Sequence, residues 1–188
     1  MGKFVKVSEN TFNEIQLEAG LILNKFDPTG ATDVEDADIV CATTGGIEIS
    51  CKPTFTDYGE DIDNVPNNML EFKEVDGWDC SIGFTALNAS ASVIKMALCA
   101  ADAEGNKITP RNDLNPEEDA KDVWWVGERA DGGFVACCLK NALATEGLSL
   151  KTTKKGKGQI SCTLAGHVSI KAQDVVPMEF YVQEGANE

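Results

Sequence analysis

Apolar positions recur at a period of two through much of this chain. Between residues 15 and 23, Ile15, Leu17, Ala19, Leu21 and Leu23 fall on one side and Glu14, Gln16 and Glu18 on the other, which predicts a half-buried strand. Two β-rich runs follow, Ile39-Val40-Cys41-Ala42-Thr43-Thr44 and Ile47-Glu48-Ile49-Ser50-Cys51-Lys52. They are joined by Gly45-Gly46 and read as a tight hairpin. In the second run Ile47, Ile49 and Cys51 share a face, and Glu48, Ser50 and Lys52 share the other. The rhythm breaks over residues 57–76, where Asp57-Tyr58-Gly59-Glu60-Asp61-Ile62-Asp63-Asn64-Val65-Pro66-Asn67-Asn68 is rich in turn formers and acid, followed by a short helical turn from Met69 to Val75. A connection this long in a compact domain is usually functional or disordered. A strand resumes from Trp78 to Leu87.

Only one segment carries a strong helical pattern. Asn88 is placed to cap a helix over residues 89–101, with Val93, Ala97 and Ala101 on one stripe, Ile94 and Leu98 on the next, and Lys95 the only charge inside. Such a helix needs cover on more than one side. The remainder reads as strands over 122–128, 132–143, 148–153, 160–164 and 178–183, with Lys154-Lys155-Gly156-Lys157-Gly158 as a hairpin tip. Many short strands with Gly-rich turns and one helix predict a mainly β domain, a sandwich or barrel. With no internal repeat and no linker, residues 1–188 read as a single domain, the first thirteen forming an N-terminal arm.

Composition fits this picture: 188 residues, 43% hydrophobic and 25% charged, are ordinary globular values. No apolar run is long enough to cross a bilayer, and Met1 to Glu9 lacks the apolar stretch of a signal peptide. Gly2 suggests myristoylation, but Lys6 stands where that motif wants Ser or Thr. A soluble protein that stays where it is made is the expectation. The seven cysteines, Cys41, Cys51, Cys80, Cys99, Cys137, Cys138 and Cys162, contain no CxxC pair. Cys137 and Cys138, adjacent on a strand, point to opposite faces and cannot share a metal. They read as small buried hydrophobes in a reducing cytoplasm, with no metal and no cofactor.

Charge narrows the function further. The net charge of −15 is the opposite of a direct nucleic-acid binder's balance. Acid gathers in Asp33 to Asp38, Asp57 to Asp63 and Glu117 to Asp122. Such runs serve as solvated surface, as a surface that must not hold DNA, or as one that mimics it. No catalytic set assembles around the single His167. The glycines and lysines of residues 154–158 lack the phosphate-loop pattern, and residues 57–63 lack the spacing of a calcium loop. The chain reads as a structural subunit and not an enzyme.

Several strings, in order, resemble the major tail tube proteins of tailed bacteriophages and prophages of Gram-positive bacteria. They are Cys41-Ala42-Thr43-Thr44-Gly45-Gly46-Ile47, Gly59-Glu60-Asp61-Ile62-Asp63-Asn64-Val65-Pro66, Asp76-Gly77-Trp78-Asp79, Gly105 to Leu114, Asp122 to Gly127, Leu139 to Leu143, Lys154 to Gly158 and Gly166 to Ile170. The resemblance spans about residues 39–183; Cys137-Cys138 and the acid before residue 39 fall outside its motifs. It implies a two-sheet sandwich with a flanking helix, joined into sixfold rings that stack into a tail tube in the virion, made and assembled in the host cytoplasm. Tape measure, tail terminator and distal tail or baseplate proteins would be the partners, and DNA would pass without specific binding. On this reading Asp57, Glu60, Asp61, Asp63, Asn64 and Pro66 belong to a loop reaching the adjacent ring, and Glu14, Gln16, Glu18 and Glu48 are candidates to line the channel. The alternatives are an acidic DNA mimic or inhibitor acting as a discrete monomer or dimer, and a small enzyme using His167.

Overall fold

The computed structural model describes residues 7–30 and 33–185. The Gly2 and Lys6 reading, and the first six residues of the expected N-terminal arm, lie outside them. Strands β1 (Gln16–Leu23), β2 (Ile39–Cys41), β3 (Thr43–Asp57) and β4 (Lys73–Ala86) lead to helix α1 (Ala91–Leu98). A small hairpin, β5 (Ala101–Glu104) and β6 (Lys107–Pro110), precedes the one-turn helix α2 (Pro116–Asp119). Then follow β7 (Lys121–Arg129), β8 (Phe134–Ala144), β9 (Ser149–Lys151), β10 (Gln159–Ala165) and β11 (Met178–Gln183).

Nine of these strands form one antiparallel sheet in the order β2-β1-β7-β8-β10-β4-β3, with β11 also on β8 and β9 also on β10. Its two halves share one core, and β8 connects them. Phe134 to Leu139 pair with both β7 and β11, whereas Leu143 and Ala144 pair with β10. Asn141, at φ 46°, marks the change of course. The sheet ends on β2 and β3 without closing into a barrel.

The period of two decides what is buried. Cys80, Ile82, Phe84 and Ala86 of β4, Ile160, Cys162 and Leu164 of β10, and Val123 and Trp125 of β7 point into one cluster, with Ile22, Cys137 and Leu139. Val93 and Ala97 cover it from α1, the flanking helix that the pattern predicts. Each large apolar side chain buried in this way contributes roughly 1.5–3 kcal/mol of transfer free energy.

Several expectations change. Gly45 and Gly46 do not turn a hairpin. Pairing with β4 passes from Thr44↔Thr85 to Ile47↔Phe84, so both glycines bulge out of one long strand, at φ 79° and 88°. The glycine signal for left-handed backbone is real, but the pairing partner is β4. The true crossing between layers is Ala42, whose N–H donates to Asn88 Oδ1 at 2.9 Å. Asn88 is therefore spent on that crossing, and Ser90 caps α1 by accepting from the N–H of Val93 at 3.3 Å. The helix ends at Leu98 because Cys99 takes a left-handed φ of 67°, and Ala101 already belongs to β5.

The first strand also departs from its pattern. Leu17 and Leu21 are about 40% exposed, while Ile22 and Leu23 are fully buried. Glu18 and Gly20, at φ 55° and 75°, bulge the strand between its pairings Leu17↔Glu128 and Leu21↔Val126. The indole N–H of Trp125 donates to the Ala19 carbonyl inside that bulge at 2.9 Å and fixes it. Alternation cannot persist through two left-handed residues.

Candidate assembly surfaces

Beyond the pair Lys52↔Asp79, strands β3 and β4 continue to Asp57↔Lys73 with little cover on either face. They form an arm that outruns the core, with residues 58–72 at its tip. The predicted loop of 57–76 is thus shorter, because Lys73 to Asp76 pair as strand, and its helical turn shrinks to a 3-10 turn over Leu70–Phe72. The tip is ordered by its own polar groups. The Tyr58 N–H donates to the Phe72 carbonyl at 2.9 Å, the Gly59 N–H to Asp57 Oδ1 at 3.0 Å, and the Thr56 hydroxyl to Asp76 Oδ2 at 2.5 Å. A hydrogen bond to Glu74, then that carboxylate's charge, push the Tyr58 phenol above its usual value. Glu60, Asp61, Asp63, Asn64 and Pro66 are exposed, and Asp57 is half-buried in β3. Interleaved with the acid are Phe55, Tyr58, Ile62, Leu70, Val75 and Trp78, all exposed, Leu70 by 80%.

A second surface is the outer face of the β3–β4–β10 layer. The inward residues of those strands are apolar, so the outward ones are Glu48, Ser50 and Lys52 of β3, Ser81, Gly83 and Thr85 of β4, and Ser161 and Thr163 of β10. Glu48 stands opposite Gly83, Ser50 opposite Ser81, and Ser161 opposite Thr85. Apart from Glu48 and the opposed pair Lys52 and Asp79, these outward positions are hydroxyls and glycine. Pattern reading found the β3 half of it; the rest required knowing which strands are neighbours.

The outer face of the other layer is chemically different. Phe26 packs edge-on against Trp124 at 5.8 Å and Phe134 at 5.4 Å between ring centroids, and Trp124 meets Tyr181 at 5.6 Å. Leu17, Leu21 and Val126 border this aromatic group. Lys140 lies 3.6 Å from Asp122 and 3.5 Å from Glu179. Glu14 and Glu18 are exposed on this layer. The Gln16 amide instead donates back to the Glu18 carbonyl at 2.7 Å, so it secures the β1 bulge. Glu18 and Glu48 border different clefts, one on each layer.

His167 is exposed, its Nδ1 3.3 Å from the Asn141 carbonyl, and Asn141 returns an amide hydrogen bond to the His167 carbonyl at 2.9 Å. That exchange ties the strand following β10 to the bend in β8. The seven cysteines are free thiols. Cys137 lies in the core cluster, whereas Cys138 faces Lys140 on the other side of β8. Burial pushes Cys80 and Cys137 up to about 12 and Cys41, Cys138 and Cys162 up to about 11. Among the described residues no group of three or more His, Cys, Asp or Glu is arranged to hold a metal ion. No described helix is long and apolar enough to cross a membrane.

Arg111 is a structural centre that the sequence pattern does not reveal. Its Nε lies 3.0 Å from Asp102 of β5 and its Nη2 2.6 Å from Asp119 of α2. The Asp119 side chain is fully buried, so the third acidic run is not all solvated surface. Asn115 opens α2 by accepting from the Glu117 N–H at 3.3 Å. The only sequence signal is this Asn-Pro start, which marks a helix too short to show periodicity.

No family model matches the chain, and no curated protein matches it. Among solved structures, a chain from the virion of a native gene transfer agent (GTA) particle is similar at a TM-score of 0.42 and 12% identity, over 80% of this chain and 92% of that one. A likeness at that level carries no argument about this chain.

Proposed function

We propose that this protein is a structural virion subunit that assembles into stacked sixfold rings, forming a tail tube through which DNA passes. The observation that carries the assembly reading is the arm. Six large apolar side chains are exposed on a hairpin that outruns its own core, and clustered exposed apolar surface of this kind marks an interface. The resemblance of the strings over residues 39–183 to tail tube proteins supplies the kind of assembly. Heterologous contacts between sheet edges close a ring, and the arm spans to the adjacent ring.

The face carrying Glu48 and the hydroxyls is the channel wall in this proposal. Small neutral side chains with a net acidic assembly around them offer phosphate no cation cluster to grip, so DNA passes without being held. The aromatic face of the other layer suits contact between protomers, since aromatic residues are enriched in interface cores. The protein does no catalysis. Tape measure, tail terminator and distal tail or baseplate proteins are its partners at the tube's ends.

Size-exclusion chromatography and negative-stain microscopy of the purified protein test the proposal. Rings or hollow filaments are the expected outcome. A discrete monomer or dimer at every concentration and salt would overturn it and favour an acidic DNA mimic.

A further inference from the structure

We propose that Cys51 and Cys80 form a redox pair, a dithiol that a peroxide converts into a cross-strand disulfide at the root of the arm. The two residues stand directly opposite in the antiparallel pairing of β3 with β4, and their Sγ atoms are 3.2 Å apart. Directly opposed residues of such a ladder have Cα atoms about 4.5–5.5 Å apart, inside the span that disulfides bridge. Oxidation therefore needs no movement of one strand past the other. Among the described residues neither thiol belongs to a group of three or more His, Cys, Asp or Glu arranged to hold a metal ion, and both are free.

Accessibility assigns the order of events. Cys51 is half-buried at the point where the core gives way to the exposed arm, and Cys80 is buried. The Cys51 thiolate attacks a peroxide oxygen, the O–O bond breaks and water leaves, giving a sulfenic acid on Cys51. The Cys80 sulfur then displaces that hydroxyl, its thiol proton leaves with it as a second water, and the S–S bond forms. Two thiols and one hydrogen peroxide become one disulfide and two waters. The burial that holds the Cys80 thiol up to about 12 keeps it a poor first nucleophile, consistent with this order. Among the other thiols only Cys99 is also half-buried, and it has no thiol opposite it.

The product closes residues 52–79, the whole arm and its tip, into a covalent loop anchored at the edge of the core. Hydrogen peroxide treatment of the reduced, full-length protein tests this, followed by denaturation in an alkylating agent and peptide mass mapping. Two of the seven thiols should disappear with a mass loss of about 2 Da, Cys51 should be found linked to Cys80, and dithiothreitol should restore all seven. In the Cys80→Ser variant, Cys51 should instead be trapped as a sulfenic acid by dimedone. Linkage of Cys51 to any other cysteine would overturn the proposal. So would seven unchanged thiols in the wild type at a peroxide level that oxidises Cys51 in Cys80→Ser.

Discussion

At Gly20 one absent carbon decides the course of a strand. A Cβ there would lie 2.4 Å from the Val126 carbonyl oxygen and 2.6 Å from Trp125 Nε1, and the backbone is at φ 75°. Backbone oxygen cannot move away without breaking the β1–β7 pairing. Gly20→Ala should therefore destabilise the fold by about 1–3 kcal/mol, combining left-handed strain with overpacking. Urea unfolding of the monomer followed by tryptophan fluorescence measures this directly, because Trp125 sits against the clash. An unchanged midpoint would mean that the bulge relaxes freely. Gly45 shows the contrast, since it has the same left-handed sign with open space around its Cβ position.

Among the elements, the β3–β4 hairpin divides its labour along its length. From Ile47 to Cys51 it contributes inward side chains to the core, and from Pro53 outward most of its strand residues are exposed and none is buried. Folding and reaching are thus functions of different stretches of one hairpin. Replacing Asp61 to Asn68 with a short Gly-Ser linker removes only the exposed tip, so the subunit should keep its thermal unfolding temperature to within a few degrees. Assembly should fail, since the tip spans the rings in the proposed tube. Microscopy of the variant provides the check, and normal tubes would remove the tip from the contact.

Across the whole molecule the two outer faces are unlike: one small, hydroxyl-rich and carrying Glu48, the other aromatic and bordered by Glu18. That asymmetry predicts different responses to charge reversal. Glu48→Lys should leave folding and tube formation intact, since an exposed substitution on a polar face usually changes stability by less than about 0.5 kcal/mol. It should slow DNA ejection, most strongly at low salt, because a ring of lysines gains phosphate contacts and releases counterions. A Glu14→Lys, Glu18→Lys double variant should leave ejection unchanged. Complementing a tube-defective phage with each variant and measuring ejection across salt concentrations distinguishes them. A stronger effect from the double variant would reverse the assignment of the faces.

What the sequence determined alone is what depends on neighbours a few residues away. Strand-forming runs marked β4, β7, β8 and β10, and alternation named Ile160, Cys162 and Leu164 of β10, all buried, because a strand covered on one face must repeat at two. It also marked one helix and the acidic tip. Tertiary structure decided everything that depends on which strand lies beside which. Gly45-Gly46 is a bulge because β4 pairs across it. Asn88 serves the crossing at Ala42 because the chain returns there, and Leu17 and Leu21 face outward because Trp125 holds β1 in a bulge. The Arg111 clamp and the opposition of Cys51 to Cys80 have the same origin. Contacts between distant parts of a chain leave no local period, so they become legible only when the fold brings them together.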